Sequence, residues 1–403
     1  MAGPRRPASH PFIDRMQTMT RHDISPERIE ETIRWRHHLH AYPELAFEER
    51  QTAAFIAGRL AEWGITVKDG YGGTGLVGTL TRGTSSRAIA IRADMDALPI
   101  IETSGVAYAS KTQGKMHACG HDGHVAMLLA AARQASEMDF DGTVHFIFQP
   151  AEEAEGGAQV MVADGLFRDF PADAVYALHN WPALDVGSVV ARDDAMMAAF
   201  GVFEIAITGR GAHGAMPHEG ADPLVAVAQI VTALQTIASR NVSPLEAAVV
   251  SVTQIHGGDA WNVIPEKAVI RGTTRWFDKS VGDTLETRMR VLVTALAEGL
   301  DCKAEFDYQR RYPATINDPA AAALVRAIAA EDTTLTVVDA PPSMAAEDFA
   351  FMLDERPGCY LWLGARREGA NPGLHSPHYD FNDAIIGEGV NLWTRLISTS
   401  LGR

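Results

Sequence analysis

The most constraining feature of this chain is a set of short apolar runs with helical patterns between them. The runs are LVGTL, AIAIR, VHFIF, AVYAL and CYLWL, at residues 76–80, 88–92, 144–148, 174–178 and 359–363. Because each run is apolar almost throughout rather than alternating, it predicts a strand that is buried on both faces. Such strands alternating with helices predict an α/β fold in which a mostly parallel sheet is covered on both sides.

The pattern of predicted strands and helices changes between residues 198 and 307. There the pattern predicts elements in the order β-α-β-β-α-β, at residues 200–208, 222–240, 247–255, 268–277, 280–299 and 302–308. This is the order of a ferredoxin-like domain. A length of 403 residues also favours more than one domain. We therefore predict a disordered tail at residues 1–22, a larger domain formed by residues 23–197 and 308–403, and an inserted domain at residues 198–307.

The stretch HACGHDGH, at residues 117–124, contains three histidines, a cysteine and an aspartate. The apolar run that follows predicts a helix, with Asp122 as its N-cap. His117, Cys119 and His121 are then expected in the loop before that helix. An isolated histidine is usually an ordinary loop residue. A thiol and an imidazole two residues apart, beside further histidines, are instead the ligand types that zinc-like ions select.

Acidic residues and histidines occur where the predicted strands end. The second run leads to Asp94 and Asp96, the third to Glu152 and Glu153, the fourth to His179 and the fifth to a loop with His375. Ligands of open α/β sheets gather at the carboxyl ends of the strands, and a chance scatter would not sort the residues in this way. The predicted ligands of two metal ions are Cys119, His121, Glu153, His179 and His375.

Glu152 is the predicted general base. Two adjacent glutamates usually indicate a solvated acidic loop, but Glu152 and Glu153 follow a buried strand beside the other predicted ligands. Their side chains diverge in an extended loop, so one can bind metal while the other accepts a proton from water and delivers it to a leaving group. Asp96 is predicted to orient a ligating imidazole by accepting its other N–H. The alternative is that Asp96 caps the backbone at its strand end.

The charge balance excludes two classes of partner. The chain has 35 Lys and Arg against 51 Asp and Glu, a net charge of −16. No basic stripe could neutralise the phosphates of nucleic acid or an anionic membrane surface. No apolar run is long enough to predict a membrane span, and no signal-peptide pattern is evident. Three cysteines are too few for a disulfide framework, so we expect a cytoplasmic protein.

Six further motifs accompany HACGHDGH. They are RHHLHAYPELAFEE, RADMDALP, QPAEE, ALHN, GAHGAMPH and LHSPHYDFND, which begin at residues 36, 92, 149, 177, 211 and 374. Together they resemble the binuclear metallo-amidohydrolase and carboxypeptidase family. That family includes hippurate hydrolase, bacterial N-acyl-amino-acid amidohydrolases and the plant hydrolases of indoleacetyl-amino-acid conjugates. The resemblance extends from about residue 25 to the end; the AAED run at residues 345–348 differs from the Gly-Ser that relatives often have before the acidic pair.

The resemblance implies a catalytic domain with an inserted domain for dimerisation or for covering the site, which is also the architecture that the strand pattern predicts. It supports the five ligands and Glu152 as the base. It further implies that His213 reaches a neighbouring active site to stabilise the oxyanion, and that Asn262 and Arg275 bind the substrate carboxylate. Taken alone, His213 would be interpreted as a cap of the following helix and Arg275 as a surface charge.

The activity that the resemblance implies is metal-dependent hydrolysis of the amide bond in N-acyl or N-aroyl amino acids. The alternatives are a deaminase or a dipeptidase or carboxypeptidase with the same site, and a metal- or ligand-binding protein without turnover. Two divalent ions per subunit are expected, zinc or manganese, with cobalt and nickel as alternatives. The expected partners are a small carboxylate-bearing substrate and a second copy of the chain, with strand 200–208 at an edge that pairs between copies.

Overall fold

The computed structural model describes residues 23–153 and 156–402. The predicted tail at residues 1–22 lies outside the described residues. Ten α-helices lie within the described residues: α1 Pro26–Ala41, α2 Arg50–Glu62, α3 His121–Glu137, α4 Gly157–Ala163, α5 Leu166–Asp169, α6 Pro223–Arg240, α7 Lys279–Glu298, α8 Pro319–Glu331, α9 Ala350–Glu355 and α10 Ile386–Leu401.

Sixteen strands occur in the same part of the chain. They are β1 Thr66–Tyr71, β2 Gly75–Arg82, β3 Ala88–Asp94, β4 Gly142–Gln149, β5 Ala174–Trp181, β6 Ser188–Val190, β7 Ala195–Met197, β8 Ala199–Thr208, β9 Ala212–His213, β10 Ala248–Gly257, β11 Val263–Ile264, β12 Lys267–Trp276, β13 Lys303–Tyr312, β14 Thr315–Ile316, β15 Thr336–Val337 and β16 Gly358–Gly364. Each helix and strand predicted from the sequence overlaps one of these elements.

Eight strands form the large sheet, in the order β1-β2-β4-β3-β5-β16-β6-β15. Its centre, β4-β3-β5-β16, is parallel, whereas β2 joins β4 and β6 joins β16 in antiparallel pairs. Every residue of β3 and β16 is buried. One apolar cluster includes side chains of α1, α2, α3, α8 and α10, and another includes those of α4, α5 and α9. The predicted α/β fold, with a mostly parallel sheet covered on both faces, is confirmed.

The second sheet has the order β10-β12-β8-β13, and all its pairs are antiparallel. Alternate residues of β8 are buried, in a cluster that includes the apolar side chains of α6 and α7. This arrangement is the ferredoxin-like domain that the sequence predicts.

The expected edge position of strand 200–208 is wrong. That strand is β8, which pairs with β12 on one side and β13 on the other. Alternation of burial reports which face of a strand is covered, but it carries no information about which strands lie beside it. The edges of the second sheet are β10 and β13.

The second sheet begins and ends at adjacent points. Its first strand, β8, pairs with its last strand, β13, and Phe200 lies opposite Tyr312. The chain therefore enters and leaves this sheet side by side. The domain limits at residues 23–197, 198–307 and 308–403 stay predictions. Among the described helices, none combines the length and apolar character needed to cross a membrane.

Candidate active site

Helix α3 begins at His121, directly after Gly120. Gly120 has a φ of 98°, and a Cβ added there would collide with the side chains of Asn180 and Tyr379. Only glycine combines this left-handed backbone with such close approach. The tight turn brings the thiol of Cys119 and the imidazole of His121 to the same end of the large sheet.

The prediction that Asp122 caps α3 is wrong. Gly120 is the N-cap and makes no side-chain capping bond, so His121 lies in the first turn of the helix rather than in the loop. The Asp122 carboxylate is fully buried, 2.9 Å from Nδ1 of His40 and 3.3 Å from Nη1 of Arg36. Asp122 therefore ties the start of α3 to α1.

The five predicted ligands converge. Sγ of Cys119 is 3.3 Å from Nε2 of His179, and Nε2 of His375 is 3.1 Å from Oε1 of Glu153. Ligand atoms of Cys119, His121 and His179 lie within 4.8 Å of one another, and so do those of Cys119, Glu153 and His375. Because Cys119 belongs to both groups, the arrangement offers two adjacent cation sites that share one sulfur.

The histidine rings are oriented for metal binding. Nε2 of His121 is buried without a hydrogen-bond partner, while its Nδ1 is 2.9 Å from the carbonyl oxygen of Asp96. Nδ1 of His179 donates to the carbonyl oxygen of Asn180 at 2.7 Å. In each ring one nitrogen is held by the backbone, so the other can present its lone pair to a metal ion.

The electrostatics of the site also fit bound cations. Burial raises the pKa of the Cys119 thiol well above its usual range, and the carboxylate of Glu153 adds to this effect. Burial opposes charge on His121, yet Asp94 and Asp96 outweigh it and raise the pKa of His121 to about 10. Divalent ions would replace that proton and stabilise the thiolate, because ligation requires the deprotonated forms. The residues present therefore fit a binuclear metal site.

Glu152 lies beside the two donor groups. Its Oε2 is 4.0 Å from Nε2 of His121, and Glu152 is 8% exposed. Burial raises the pKa of Glu152 well above its usual range, and the nearby Glu347 carboxylate is the next cause. A carboxyl group with a raised pKa, next to cation sites, is suited to accept and return a proton.

Asp96 contacts both the ligands and the base. Its Oδ1 is 3.3 Å from Nδ1 of His121, the contact expected of a residue that orients the ring. Its two carboxylate oxygens also accept the backbone N–H groups of Glu152 and Glu153, each at 3.0 Å. Asp96 therefore also binds backbone amides, as the alternative interpretation expects. These amides follow β4, however, and not β3, the strand that precedes Asp96.

His375 has an unusual backbone. Its φ is 63°, a left-handed conformation that costs an L-residue with a Cβ roughly 1–2 kcal/mol. The amide of His375 donates to the carbonyl oxygen of Ala118 at 2.8 Å, which fixes the loop beside Cys119. The side chain of His375 is 54% exposed, so it lies at the open side of the site.

A buried charge network escaped the sequence interpretation. Asp94 Oδ1 is 2.6 Å from Nδ1 of His124, and Asp94 Oδ2 is 2.7 Å from Nη1 of Arg92. Nη2 of Arg92 lies 3.0 Å from Glu347 and 3.1 Å from Asp348. The available signal was Arg92 itself, since a charge at the end of a strand buried on both faces requires partners. The acidic pair of the AAED run is that partner.

His213 lies on β9, and Asn262 lies in the turn directly before β11. We call residues 212–216 and 258–264 the β9–β11 tip. His213 is opposite Val263, and the amide of Gly214 donates to the carbonyl oxygen of Asn262 at 2.7 Å. Both His213 and Asn262 are exposed. Between described residues, no hydrogen bond or ion pair joins either side chain to the five ligands.

The alternative interpretation of His213 as a helix cap is wrong. Its Nδ1 accepts the amide of Ala215 at 3.0 Å. The following helix, α6, is capped by Asp222, whose carboxylate accepts the amide of Leu224 at 2.8 Å.

Arg275 lies on β12 of the second sheet, opposite Phe200 of β8. Its guanidinium carbon is 4.1 Å from the centroid of the Phe200 ring, and that ring contacts Tyr312 edge to face at 6.0 Å. The hydroxyl of Tyr312 donates to the carbonyl oxygen of Glu152 at 2.9 Å. Burial lowers the pKa of Arg275, and among the described residues no carboxylate forms an ion pair with it. Arg275 is thus a half-buried cation that three successive contacts connect with the backbone of Glu152, and its charge is unpaired among the described residues.

The chain is similar to known proteins over most of its length. A model of Peptidase family M20/M25/M40 matches residues 90–399. The N-acetyl-L-cysteine deacetylase of Bacillus subtilis (strain 168) is 42% identical over 353 residues, 87% of this chain and 83% of that protein. The hippurate hydrolase of Campylobacter jejuni is 37% identical over 364 residues, 90% of this chain and 94% of that protein. The crystal structure of Bacillus subtilis YXEP protein, described as a dinuclear metal binding peptidase, has a TM-score of 0.82 at 32% identity, covering 94% of this chain and 99% of that one.

Proposed function

The chain belongs to peptidase family M20/M25/M40, a family of hydrolases, and from this membership we propose that it cleaves the amide bond of N-acyl or N-aroyl amino acids. The products are a carboxylic acid and a free amino acid. The observation that carries the proposal is the pair of donor groups sharing Cys119, with Glu152 beside them. Relatives named for N-acetylcysteine deacetylation and for hippurate hydrolysis, each similar over most of its length, support the same bond type.

The proposed reaction assigns one role to each group. When bound, the two ions supply Lewis-acid chemistry, which makes water more acidic and polarises the substrate carbonyl. Cys119, His121, Glu153, His179 and His375 hold them. Glu152 accepts the proton of the attacking water as the new C–O bond forms. It then delivers that proton to the nitrogen as the C–N bond breaks, so the leaving group departs as a neutral amine.

Binding of the substrate is proposed to involve the inserted domain. Arg275 is a half-buried cation without an ion-pair partner, which suits it to bind the α-carboxylate. Asn262 is proposed to assist it with its side-chain amide. His213 is proposed to donate a hydrogen bond to the oxyanion that develops on the carbonyl oxygen. Asp96 is proposed to hold the ring of His121.

The test is a substrate panel assayed for two products, free amino acid and ammonia. Hippurate, N-acetyl amino acids, indoleacetyl conjugates, dipeptides and aminoaromatic acids cover the competing classes. We expect release of free amino acid from at least one acyl amino acid. Ammonia release, or cleavage of dipeptides alone, would instead identify a deaminase or a dipeptidase. Binding of ligand without any product would identify a binding protein.

The proposed metals are zinc or manganese, with cobalt and nickel as alternatives, because thiolate and imidazole favour zinc while the carboxylate suits the harder ions. Elemental analysis of protein purified without added metal should find two ions per chain. Activity should disappear on chelation and return as single metals are added back. Full activity in metal-free protein would overturn the proposed site.

The proposed assembly is a homodimer formed through the inserted domain. Strands β10 and β13 are the edges of its sheet, and unpaired strand edges favour association with another copy. Light scattering of the purified protein should give twice the chain mass of 43.5 kDa. The proposed location is the cytoplasm, because Cys119, Cys302 and Cys359 are free thiols.

A further inference from the structure

Glu49 occupies a helix N-terminus without capping it. An acidic side chain at the start of a helix ordinarily accepts the first free N–H groups. At α2 that task belongs to Glu44, whose carboxylate accepts the amides of Gln51 at 3.1 Å and Thr52 at 2.9 Å. Glu49 is the N-cap residue of α2, yet its side chain makes no capping bond. The carboxylate of Glu49 is therefore available for contacts elsewhere.

That carboxylate points into the protein. Glu49 is 0% exposed. Its Oε2 accepts the hydroxyl of Thr74 at 2.6 Å, and its Oε1 accepts the backbone amide of Ala151 at 2.9 Å. A buried carboxylate is costly unless its oxygens are hydrogen-bonded, and here each oxygen has one donor. One of the two donors belongs to the residue immediately before Glu152.

Ala151 needs to be held in place. Its φ is 54°, so an L-residue with a Cβ adopts the left-handed conformation at a cost of roughly 1–2 kcal/mol. The carbonyl of Ala151 accepts the amide of Gly157 at 2.9 Å, and a Cβ added at Gly157 would collide with the carbonyl oxygen of Pro150. The bend after β4 is therefore tight, and Ala151, the residue directly before Glu152, lies in it.

Three successive amides of this bend are bound by two carboxylates. Glu49 accepts the amide of Ala151, and Asp96 accepts those of Glu152 and Glu153. The contact of Asp96 with His121 already connects it with the metal site. Among the described residues Glu49 has no such contact, since its carboxylate accepts hydrogen bonds from Thr74 and from the backbone amide of Ala151. Its hydrogen bonds therefore connect Glu49 with the site through the backbone of Ala151.

We propose that Glu49 is a positioning residue for the reaction: by holding the left-handed backbone of Ala151, it aims the Glu152 carboxylate at the reacting water. This rests on the proposed role of Glu152 as the base. Glu49 touches neither ligand nor substrate, so its loss should change how often Glu152 is correctly placed rather than how tightly substrate binds. A misplacement of about 1 Å in a catalytic group lowers the rate by roughly a hundredfold.

The test compares four variants of the metal-loaded enzyme. Glu49→Ala removes the acceptor of the Ala151 amide, and its kcat should fall about a hundredfold with KM nearly unchanged. Glu49→Gln keeps an amide oxygen in that position and should recover activity to within about tenfold of wild type. Thr74→Val removes the second donor while keeping side-chain volume. Glu48→Gln is the matched control, because Glu48 is 60% exposed and pairs with Lys115 at the surface.

Two further measurements separate positioning from general stability. Hydrogen exchange at Ala151, Glu152 and Glu153 should become faster in Glu49→Ala, while the core strand β3 keeps its protection. Elemental analysis should still find two ions per chain. The proposal is overturned if kcat is unchanged in Glu49→Ala, or if the loss of kcat accompanies loss of metal or protection throughout the protein. If Glu49→Ala does not fold, Thr74→Val decides by the same criteria, with a smaller loss of kcat expected.

The exchange measurement also distinguishes this proposal from the proposed function. If wild type hydrolyses no member of the substrate panel, the function is wrong, and exchange at Ala151 still shows whether Glu49 holds the bend. If wild type is active and exchange at Ala151 is unchanged in Glu49→Ala, the positioning role is wrong and the function stands.

Discussion

The ligand cluster and the β9–β11 tip differ in how completely the chain surrounds them. Cys119, His121 and His179 are 7%, 1% and 5% exposed. Most of their polar contacts are made by the same large sheet and its loops. His213 and Asn262, by contrast, are exposed, and within the described residues neither side chain contacts the ligand cluster.

The difference indicates what each region needs. The cluster gathers a thiol, imidazoles and carboxylates in a mostly buried space, an environment that favours bound cations. The tip presents polar side chains beside Trp261, whose ring is fully exposed, so its polar groups face solvent in the single chain. Bound cations are proposed to complete the first region, and a second copy of the chain is proposed to complete the other.

Glu152→Gln should give the largest effect, because it removes the proposed base and keeps the shape of the buried region. Loss of a general base costs roughly a hundredfold to ten-thousandfold in rate. Metal content and binding of a substrate analogue should stay at the wild-type level, as elemental analysis and calorimetry would reveal. Hydrolysis at the wild-type rate would remove Glu152 from the mechanism.

His213→Ala is the next largest change and tests the other region directly. Loss of one oxyanion donor lowers kcat roughly a hundredfold to a thousandfold. His213 is exposed and, among the described residues, makes no contact with the proposed ligands. The metal content and the melting temperature should therefore be those of wild type. His218→Ala, at another exposed histidine of the same segment, serves as the control and should retain activity.

A mixture of the two inactive variants then shows which chain His213 serves. After subunit exchange between Glu152→Gln and His213→Ala, a mixed dimer in which His213 acts across the interface contains one intact site. Activity should return to a fraction of wild type. If exchange is demonstrated and activity stays at the level of the separate variants, the tip does not act on a partner subunit.

Arg275→Ala should have a smaller and more selective effect. A hydrogen bond to a charged group contributes roughly 1.5–3 kcal/mol, so kcat/KM should fall about tenfold to a hundredfold for substrates with a free carboxylate. Substrates with that carboxylate amidated should lose little. Arg271→Ala is the matched control, because Arg271 lies on the same strand and pairs with Glu204 at 2.6 Å. Equal losses on both substrate types would mean that Arg275 is structural.

The smallest effect on the rate is expected from Glu49→Gln, which is more informative about the stability of the buried region. Burial raises the pKa of Glu49 from 4.5 to about 7, so the folded protein holds this proton more tightly than the unfolded chain. The tighter proton binding stabilises the folded protein. This stabilisation is fully present below about pH 4.5 and is lost as the pH rises through about 7. Relative to Glu49→Gln, wild type should lose on the order of 3 kcal/mol over this range. If the free energy of unfolding changed with pH in the same way in wild type and in Glu49→Gln, the raised pKa would be contradicted.

The sequence contained the information for the ligand set because parallel strands bring their carboxyl ends to one edge, whatever the loop lengths. His179 and His375 could thus be predicted to lie near Cys119 before their distances were known. The cap of α3 could not be predicted from the sequence. Asp122 is a good capping residue locally, and only the packing of Gly120 against Asn180 determines where the helix starts.

Other features depend on contacts between distant segments, which local patterns do not encode. The place of β8 in the middle of its sheet follows from which strands pair, and alternation is the same at a centre and at an edge. The contact of Glu49 with Ala151 joins residues 102 positions apart. Arg92 did indicate buried ion pairs, because a charge in a strand covered on both faces requires carboxylate partners. The local pattern did not show which carboxylates these are.

The adjacency of Phe200 and Tyr312 has a mechanical consequence. Two connections that leave a body side by side act as a single hinge, because they resist translation and twisting but permit rotation about one axis. Any swing of the ferredoxin-like domain must turn about this ribbon, whose Tyr312 hydroxyl is bound to the carbonyl oxygen of Glu152. Arg275 is stacked on the ring of Phe200 and so lies near this ribbon, whereas the β9–β11 tip follows the opposite end of β8 and would move farther in such a rotation.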